Sequence, residues 1–216
     1  TASADARSLK WARSGDSLTL DPHAQNEGPT HALNHSLYEP LIHRDAQGKA
    51  VAALATSWKV TDDATVWEFK LRPNVKFHNG STFNADDVVF SLQRAMQPTS
   101  DMKGLLTSVD KVTKVDDLTV HIKTKGPNPL LPANLTDLFI MDKEWSEANN
   151  ATKPQDYKNK EENFAVRNAN GTGPFVLVSR EPDVKTVMKR NDSYWGIGTF
   201  PLEITELTYI PIKADA

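Results

Sequence analysis

The chain has 216 residues, 38% of them hydrophobic and 25% charged, with a formal net charge of -3. That balance suits a folded chain long enough for one large or two small domains, and near-neutral charge gives no electrostatic pull toward nucleic acid or an anionic membrane surface. No apolar run approaches the roughly 18 residues of a membrane span, and the lack of cysteine excludes disulfides, zinc–thiolate sites and a cysteine nucleophile.

No basic-then-apolar leader precedes Thr1, so any signal peptide is expected to have been removed or never present. After a small polar tail over Thr1 to Ser8, Leu9-Lys10-Trp11-Ala12 alternates apolar with polar and predicts a first strand. Asp21-Pro22-His23 turns the chain, and Gln25 to Thr30 is a loop punctuated by Gly28-Pro29. Thr30 then caps a helix in which Ala32, Leu33, Ser36 and Leu37 recur at helical spacing up to Tyr38. His31 and His35 share one face of that helix, as two metal ligands would. Two further ligands would be needed, and no HExxH motif or acidic neighbour supplies them, so no metal site is expected.

Asp45 to Gly48 is a turn, and Val51 to Trp58 leads into Lys59-Val60-Thr61. Trp67 to Leu71 alternates cleanly and predicts a strand with one buried face; Val75-Lys76-Phe77 repeats the pattern before the tight turn Asn79-Gly80. Asn84 opens the best helix in the chain. Asp87 completes a capping-box-like pair, Val88, Val89, Leu92, Ala95 and Met96 form an apolar stripe, and Pro98 ends it. Asp86 and Asp87 point about 100° apart on a helix, so they complement its dipole rather than form a catalytic dyad.

Thr99 to Lys103 reads as polar and mobile. Val109 to Val115 and Leu118 to Lys123 alternate as two strands around Asp116-Asp117, and Leu130 to Ile140 is a mostly apolar patch. Asp142 to Lys160 reads as a solvated helix and loop anchored by Trp145 and Tyr157. Gly171-Thr172-Gly173-Pro174 then enters a hairpin of Phe175 to Val178 and Lys185 to Lys189, in which the glycines permit backbone angles other residues avoid. A last strand covers Ile204 to Ile212.

Several blocks carry a family likeness. GTGPF followed by a hairpin and KRNDSYWG resembles the peptide- and nickel-type substrate-binding proteins of bacterial ABC importers, solute-binding family 5. Leu20-Asp21-Pro22-His23, Leu37-Tyr38-Glu39-Pro40-Leu41, Leu54 to Trp58 and WEFKLRPNVKFHNGSTFNADDVVF from Trp67 to Phe90 resemble the same family in the same order. Asn79 stands where the family commonly has Asp, a substitution that still suits a turn before Gly80.

The resemblance implies an α/β fold of the type II periplasmic-binding-protein kind: a mixed-sheet lobe, incomplete here, with an inserted small α+β domain. The first lobe is expected from 1–42 plus 168–216 and the inserted domain from 43–167, with the second lobe and the remaining C-terminal part of the protein outside this N-terminal part. Leu9 to Ala12 should then share a sheet with a strand from the Phe175 to Ile212 region. The implied function is extracytoplasmic or periplasmic capture of a solute, a di- or oligopeptide before others, by hinge closure, with delivery to a membrane permease. Ligand contacts are implied for Asn26, Glu27, Gly28 and Pro29, where Glu27 could pair with a ligand ammonium. No catalytic residue and no cofactor are expected, since GxSxG, the Walker P-loop and GxGxxG are missing. Two alternatives stand beside this reading. One is a carrier of nickel or another metal complex. The other is a secreted β-rich adhesion module, suggested by the sequons at Asn34, Asn79, Asn134, Asn150, Asn170 and Asn191.

Overall fold

The computed structural model describes residues 7–199 and 202–213. In chain order the strands are β1 (Ser8–Ser14), β2 (Ile42–Arg44), β3 (Ala50–Ala52), β4 (Ala55–Val60), β5 (Val66–Leu71), β6 (Val109–Asp116), β7 (Thr119–Thr124), β8 (Phe175–Glu181), β9 (Lys185–Arg190) and β10 (Glu206–Ile212). The helices are α1 (Gly28–Leu37), α2 (Ala85–Ala95), α3 (Leu131–Asn134) and α4 (Lys143–Ala148).

Two four-stranded sheets and a two-stranded ribbon result: β1-β10-β9-β8, β4-β5-β7-β6, and β2-β3. β1 runs parallel to β10, with Leu9 opposite Leu207 and Trp11 opposite Tyr209, so the expected meeting of the two chain ends is observed. A parallel pair needs a crossover. Here everything from Gly15 to Thr205 is that crossover, including the second sheet. β5 owes its place to alternation: Trp67, Phe69 and Leu71 are buried and the residues between are not.

Each sheet has its own core. Phe69, Val120, Ile122, Val88, Leu92 and Leu135 belong to one, built on the second sheet and α2. Leu33, Leu37, Tyr38, Phe175, Met188 and Tyr209 belong to the other, built on the first sheet and α1. Met141, Ala151 and Ala165 pack into this second core.

The junction between the cores is held by polar groups. Glu39, buried just past α1, accepts hydrogen bonds from Thr172 Oγ1, Tyr194 Oη and Trp195 Nε1, each at 2.8 Å. Burial pushes its carboxyl up in pKa against those donors. Trp195 in turn lies 3.9 Å beneath the Arg72 guanidinium. The GTGPF and YWG motifs are thus clamps between α1 and the β8–β9 hairpin.

Arg94 and Asp21 form a second knot, a bidentate pair at 2.7 Å with both side chains fully buried. Arg94 also donates to the carbonyls of Ala151 and Lys153, and Asp21 accepts from Gln155 N and Asn163 Nδ2. Burial alone would raise the Asp21 pKa, but Arg94 holds the carboxyl well below the usual range.

Several sequence expectations change. Thr99 to Lys103 is anchored: Ser100 and Met102 are buried, and Asp101 N donates to His23 O at 3.1 Å. Asp142, expected to be solvated, is buried and accepts from Asn170 Nδ2 and Trp145 N, both at 3.0 Å. Neither Gly171 nor Gly173 has a positive φ. Their lack of a side chain serves close approach instead, since a Cβ on Gly171 would sit 2.0 Å from Leu37 O. The expected Asn84 capping box is present: Asp86 N donates to Asn84 Oδ1 at 2.7 Å and Asn84 N to Asp87 Oδ2 at 2.9 Å.

Candidate functional site

In an open sheet containing parallel strands, ligands gather beyond the strands' carboxyl ends. Here that edge is the end of β1 and β10, where Gly15 N donates to Ile212 O at 3.3 Å and Tyr209 Oη to Gly15 O at 2.6 Å. Gly15 has φ +78°, a conformation that favours glycine, and it turns the chain out of β1. The following loop wraps the start of α1, with Leu18 N donating to Thr30 Oγ1 at 3.0 Å.

Asn26, Glu27, Gly28 and Pro29 come together at this same edge. The helix begins earlier than the sequence pattern indicates. Glu27 is the N-cap, its Oε1 accepting from Thr30 N at 2.8 Å and from the Thr30 hydroxyl. Thr30, expected as the cap, is the donor to it. Gly28 and Pro29 are the first turn of α1, where proline's missing N–H costs nothing. Asn26 is exposed, with Oδ1 2.8 Å from His31 Nε2. Gly28 is also exposed, and a Cβ there would lie 3.2 Å from an Arg13 guanidinium nitrogen.

Glu27 is half-exposed, and among the described residues its Oε2 has no hydrogen-bond partner. One carboxylate oxygen is therefore fixed to the helix while the other is left without a hydrogen-bond partner among the described residues. Charges of both signs surround it. Tyr209 is raised in pKa by burial first and then by Asp16 and Glu27, against the opposing pull of Arg13 and Arg180. Asp16 and Arg180 form an almost fully buried pair at 3.1 Å, and Arg180 also donates to Thr186 Oγ1 and Ser17 O, so this guanidinium is engaged by the protein. A cavity of about 340 Å³ lies on that pair, with Leu18, Tyr157 and Arg167 in its wall, and shares no residue with Asn26–Pro29. The geometry favours the Glu27 edge, where the free acceptor is, over that cavity, whose cations are already paired, Arg180 with Asp16 and Arg167 with Glu162.

Among the described residues, the acidic or histidine groups whose donor atoms converge within 4.8 Å are Asp87, Asp142 and Glu144. Two of them are structural acceptors: Asp87 receives Lys143 N and Asn84 N, and Asp142 receives Asn170 Nδ2 and Trp145 N. Sequence reasoning missed Arg13 and Tyr209, because nothing local marks a strand residue as standing beside a loop reached through the tertiary fold.

A sheet in which strands from the two ends of the chain pair in parallel, with a second sheet inserted between them, defines a class of mixed α/β fold. The profile of the bacterial extracellular solute-binding proteins, family 5, matches residues 49–216, and the chain belongs to that family. It is 31% identical over 219 residues to the dipeptide-binding protein of Escherichia coli K12, covering 90% of this chain and 39% of that protein. It is 29% identical over 177 residues to the nickel-binding periplasmic protein of the same organism, covering 82% of this chain and 32% of that protein. Its fold is similar to that of the ABC transporter-associated periplasmic binding protein DppA of Helicobacter pylori in complex with peptide STSA. That match has TM-score 0.82 and 25% identity, over 95% of this chain and 42% of that one. The architecture is that of the type II periplasmic binding proteins. The chain thus spans about a third to two fifths of the length of these relatives.

Proposed function

We propose that this chain supplies one wall of the binding cleft of an extracytoplasmic solute receptor for a bacterial ABC importer, and that its preferred solute is a di- or oligopeptide. The observation that carries this reading is Glu27, at the carboxyl edge of the parallel pair: one oxygen caps α1 and the other has no hydrogen-bond partner among the described residues. A carboxylate anchored in this way is pre-organised to accept a charge-assisted hydrogen bond from a peptide ammonium. Asn26, Gly28 and Pro29 place backbone and amide groups around it. Closure of a second lobe over this edge would bury the peptide, and the closed form would dock on the permease.

In this proposal the first lobe is 1–42 plus 168–216 and the inserted domain is 43–167. The packing of Met141, Ala151 and Ala165 with the α1 core supports extending the first lobe's surroundings to those residues. A second reading, a nickel-complex carrier, is favoured by the nickel-binding relative.

The test is amide-resolved NMR of the metal-free chain with an alanyl dipeptide and its N-acetylated form. Shift changes are expected at Asn26–Thr30 and at Arg13–Ser17 with the free amine, weaker with the acetylated peptide, and lost in Glu27→Gln. Equal response to both peptides, or changes elsewhere only, would overturn the role given to Glu27.

A further inference from the structure

We propose that His35, His43 and Asp137 form a site for a divalent transition-metal ion of the zinc type, on the flank of the last turn of α1. His35 lies in that turn, His43 in β2, and Asp137 in the 3-10 turn Leu135–Asp137. No sequence spacing connects them; the fold does. Together with Arg44 and Thr136 they line one cavity of about 240 Å³.

One separation between these donor atoms fits shared coordination as well as an ion pair. His35 Nε2 is 3.5 Å from Asp137 Oδ1, too long for a good hydrogen bond. Two ligands each about 2.0–2.1 Å from a tetrahedral ion stand about 3.4 Å apart, which is that distance. Two imidazoles on one such ion would have ring centroids about 5.2 Å apart by the same geometry, and those of His35 and His43 are 5.8 Å apart. One adjustment remains: the His43 nitrogens are not within 4.8 Å of both partners' donor atoms, so its ring must turn inward.

The surroundings favour this. Phe139 meets the His35 ring edge-on at 4.7 Å and braces it. Burial favours neutral imidazole at His43, the form that ligates. Arg44 is the opposing charge in the same cavity wall, and its guanidinium is engaged, with Nε donating to Thr136 Oγ1 at 3.2 Å and Nη2 to Ala133 O at 3.1 Å. His31, one turn earlier, is already bound to Asn26 Oδ1 and is not a ligand in this scheme. Two imidazoles and one carboxylate, with a position left for water, suit zinc, nickel or copper better than magnesium or calcium. The site is about 12 Å along α1 from Glu27, so it is separate from the peptide edge.

The experiment is a calorimetric titration of the chain with zinc chloride, alongside NMR of the histidine ring nitrogens. One ion per chain is expected, with the His35 and His43 rings shifting and the His121 ring unmoved. His43→Gln and Asp137→Asn should each weaken binding about tenfold or more, while His121→Gln should match the parent. The proposal fails if no zinc binds up to about 1 mM, if both site variants bind like the parent, or if other histidines shift instead. Should a variant not fold, the ring spectrum of the parent protein decides alone. Because the peptide experiment is run without metal, failure of one reading leaves the other standing.

Discussion

Gly171→Ala is the sharpest test of how the two cores are joined. The new Cβ would lie 2.0 Å from Leu37 O, 2.8 Å from Leu37 C and 2.8 Å from Tyr38 Cδ1. Real Cβ contacts stay above 3.0 Å, so the walls must part by about 1 Å. Neither wall yields easily: Leu37 is the last residue of α1 and fully buried, and Tyr38 is among the largest fully buried side chains. Overpacking of this kind costs about 1–3 kcal/mol. Parting also strains Gly173 N to Leu37 O at 3.0 Å and His78 N to Gly171 O at 2.8 Å, each worth about 0.5–1.5 kcal/mol. The sum is a loss of about 2–6 kcal/mol, read as a lower urea midpoint in equilibrium unfolding followed by circular dichroism. Gly126→Ala, where a Cβ meets nothing within 4 Å, is the control and should change stability by no more than about 1 kcal/mol. A Gly171→Ala protein within about 1 kcal/mol of the parent would refute the close-approach account.

Arg94→Met should cost about 3–5 kcal/mol, because it leaves the buried Asp21 carboxylate without its counter-charge. The exposed pair Lys114–Asp86 serves as contrast: Lys114→Met should leave the urea midpoint close to the parent's in the same unfolding assay, and equal losses at the two positions would refute the distinction. Stability should fall as pH drops from 6.5 toward 4. His23, His43 and His78 have folded pKa values lowered to about 4 by burial, so over that range the unfolded chain binds protons the folded one refuses. Asp87, raised to about 7 by burial, and Glu39, also raised, oppose this by holding protons in the fold. His31 is lowered by burial as well, so the lowered histidines outnumber the raised carboxyls, the unfolded state binds more protons over this range, and stability falls as the pH drops. Urea midpoints at pH 7 and pH 5 that are equal, or higher at pH 5, would sink this account.

Local pattern was enough for the elements and their order. Alternation at Trp67, Phe69 and Leu71 required a half-buried strand, and the Asn84–Asp87 cap with its apolar stripe required α2. These signals are short-range, so they survive in one dimension. The ordered motifs also pointed to the family, and with it to the meeting of β1 with β10.

What the sequence could not show depends on groups brought together from far apart. Nothing local marks Glu39 as a buried acceptor; Thr172, Tyr194 and Trp195 close on it only in the fold. Thr99 to Lys103 and Asp142 looked solvated because polar composition predicts exposure, whereas paired polar groups are buried without penalty. Gly171 was recognisable as necessary, but the reason was not backbone freedom; it was the carbonyl of Leu37, 134 positions earlier. His35 lacked an acidic neighbour along the chain, and Asp137 stands 3.5 Å from it in space. Composition and periodicity determine which segments can bury a face. Which distant polar atoms then meet is decided only when those faces pack, because hydrogen bonds and ion pairs act over a few ångströms and the chain carries no local mark of its partners.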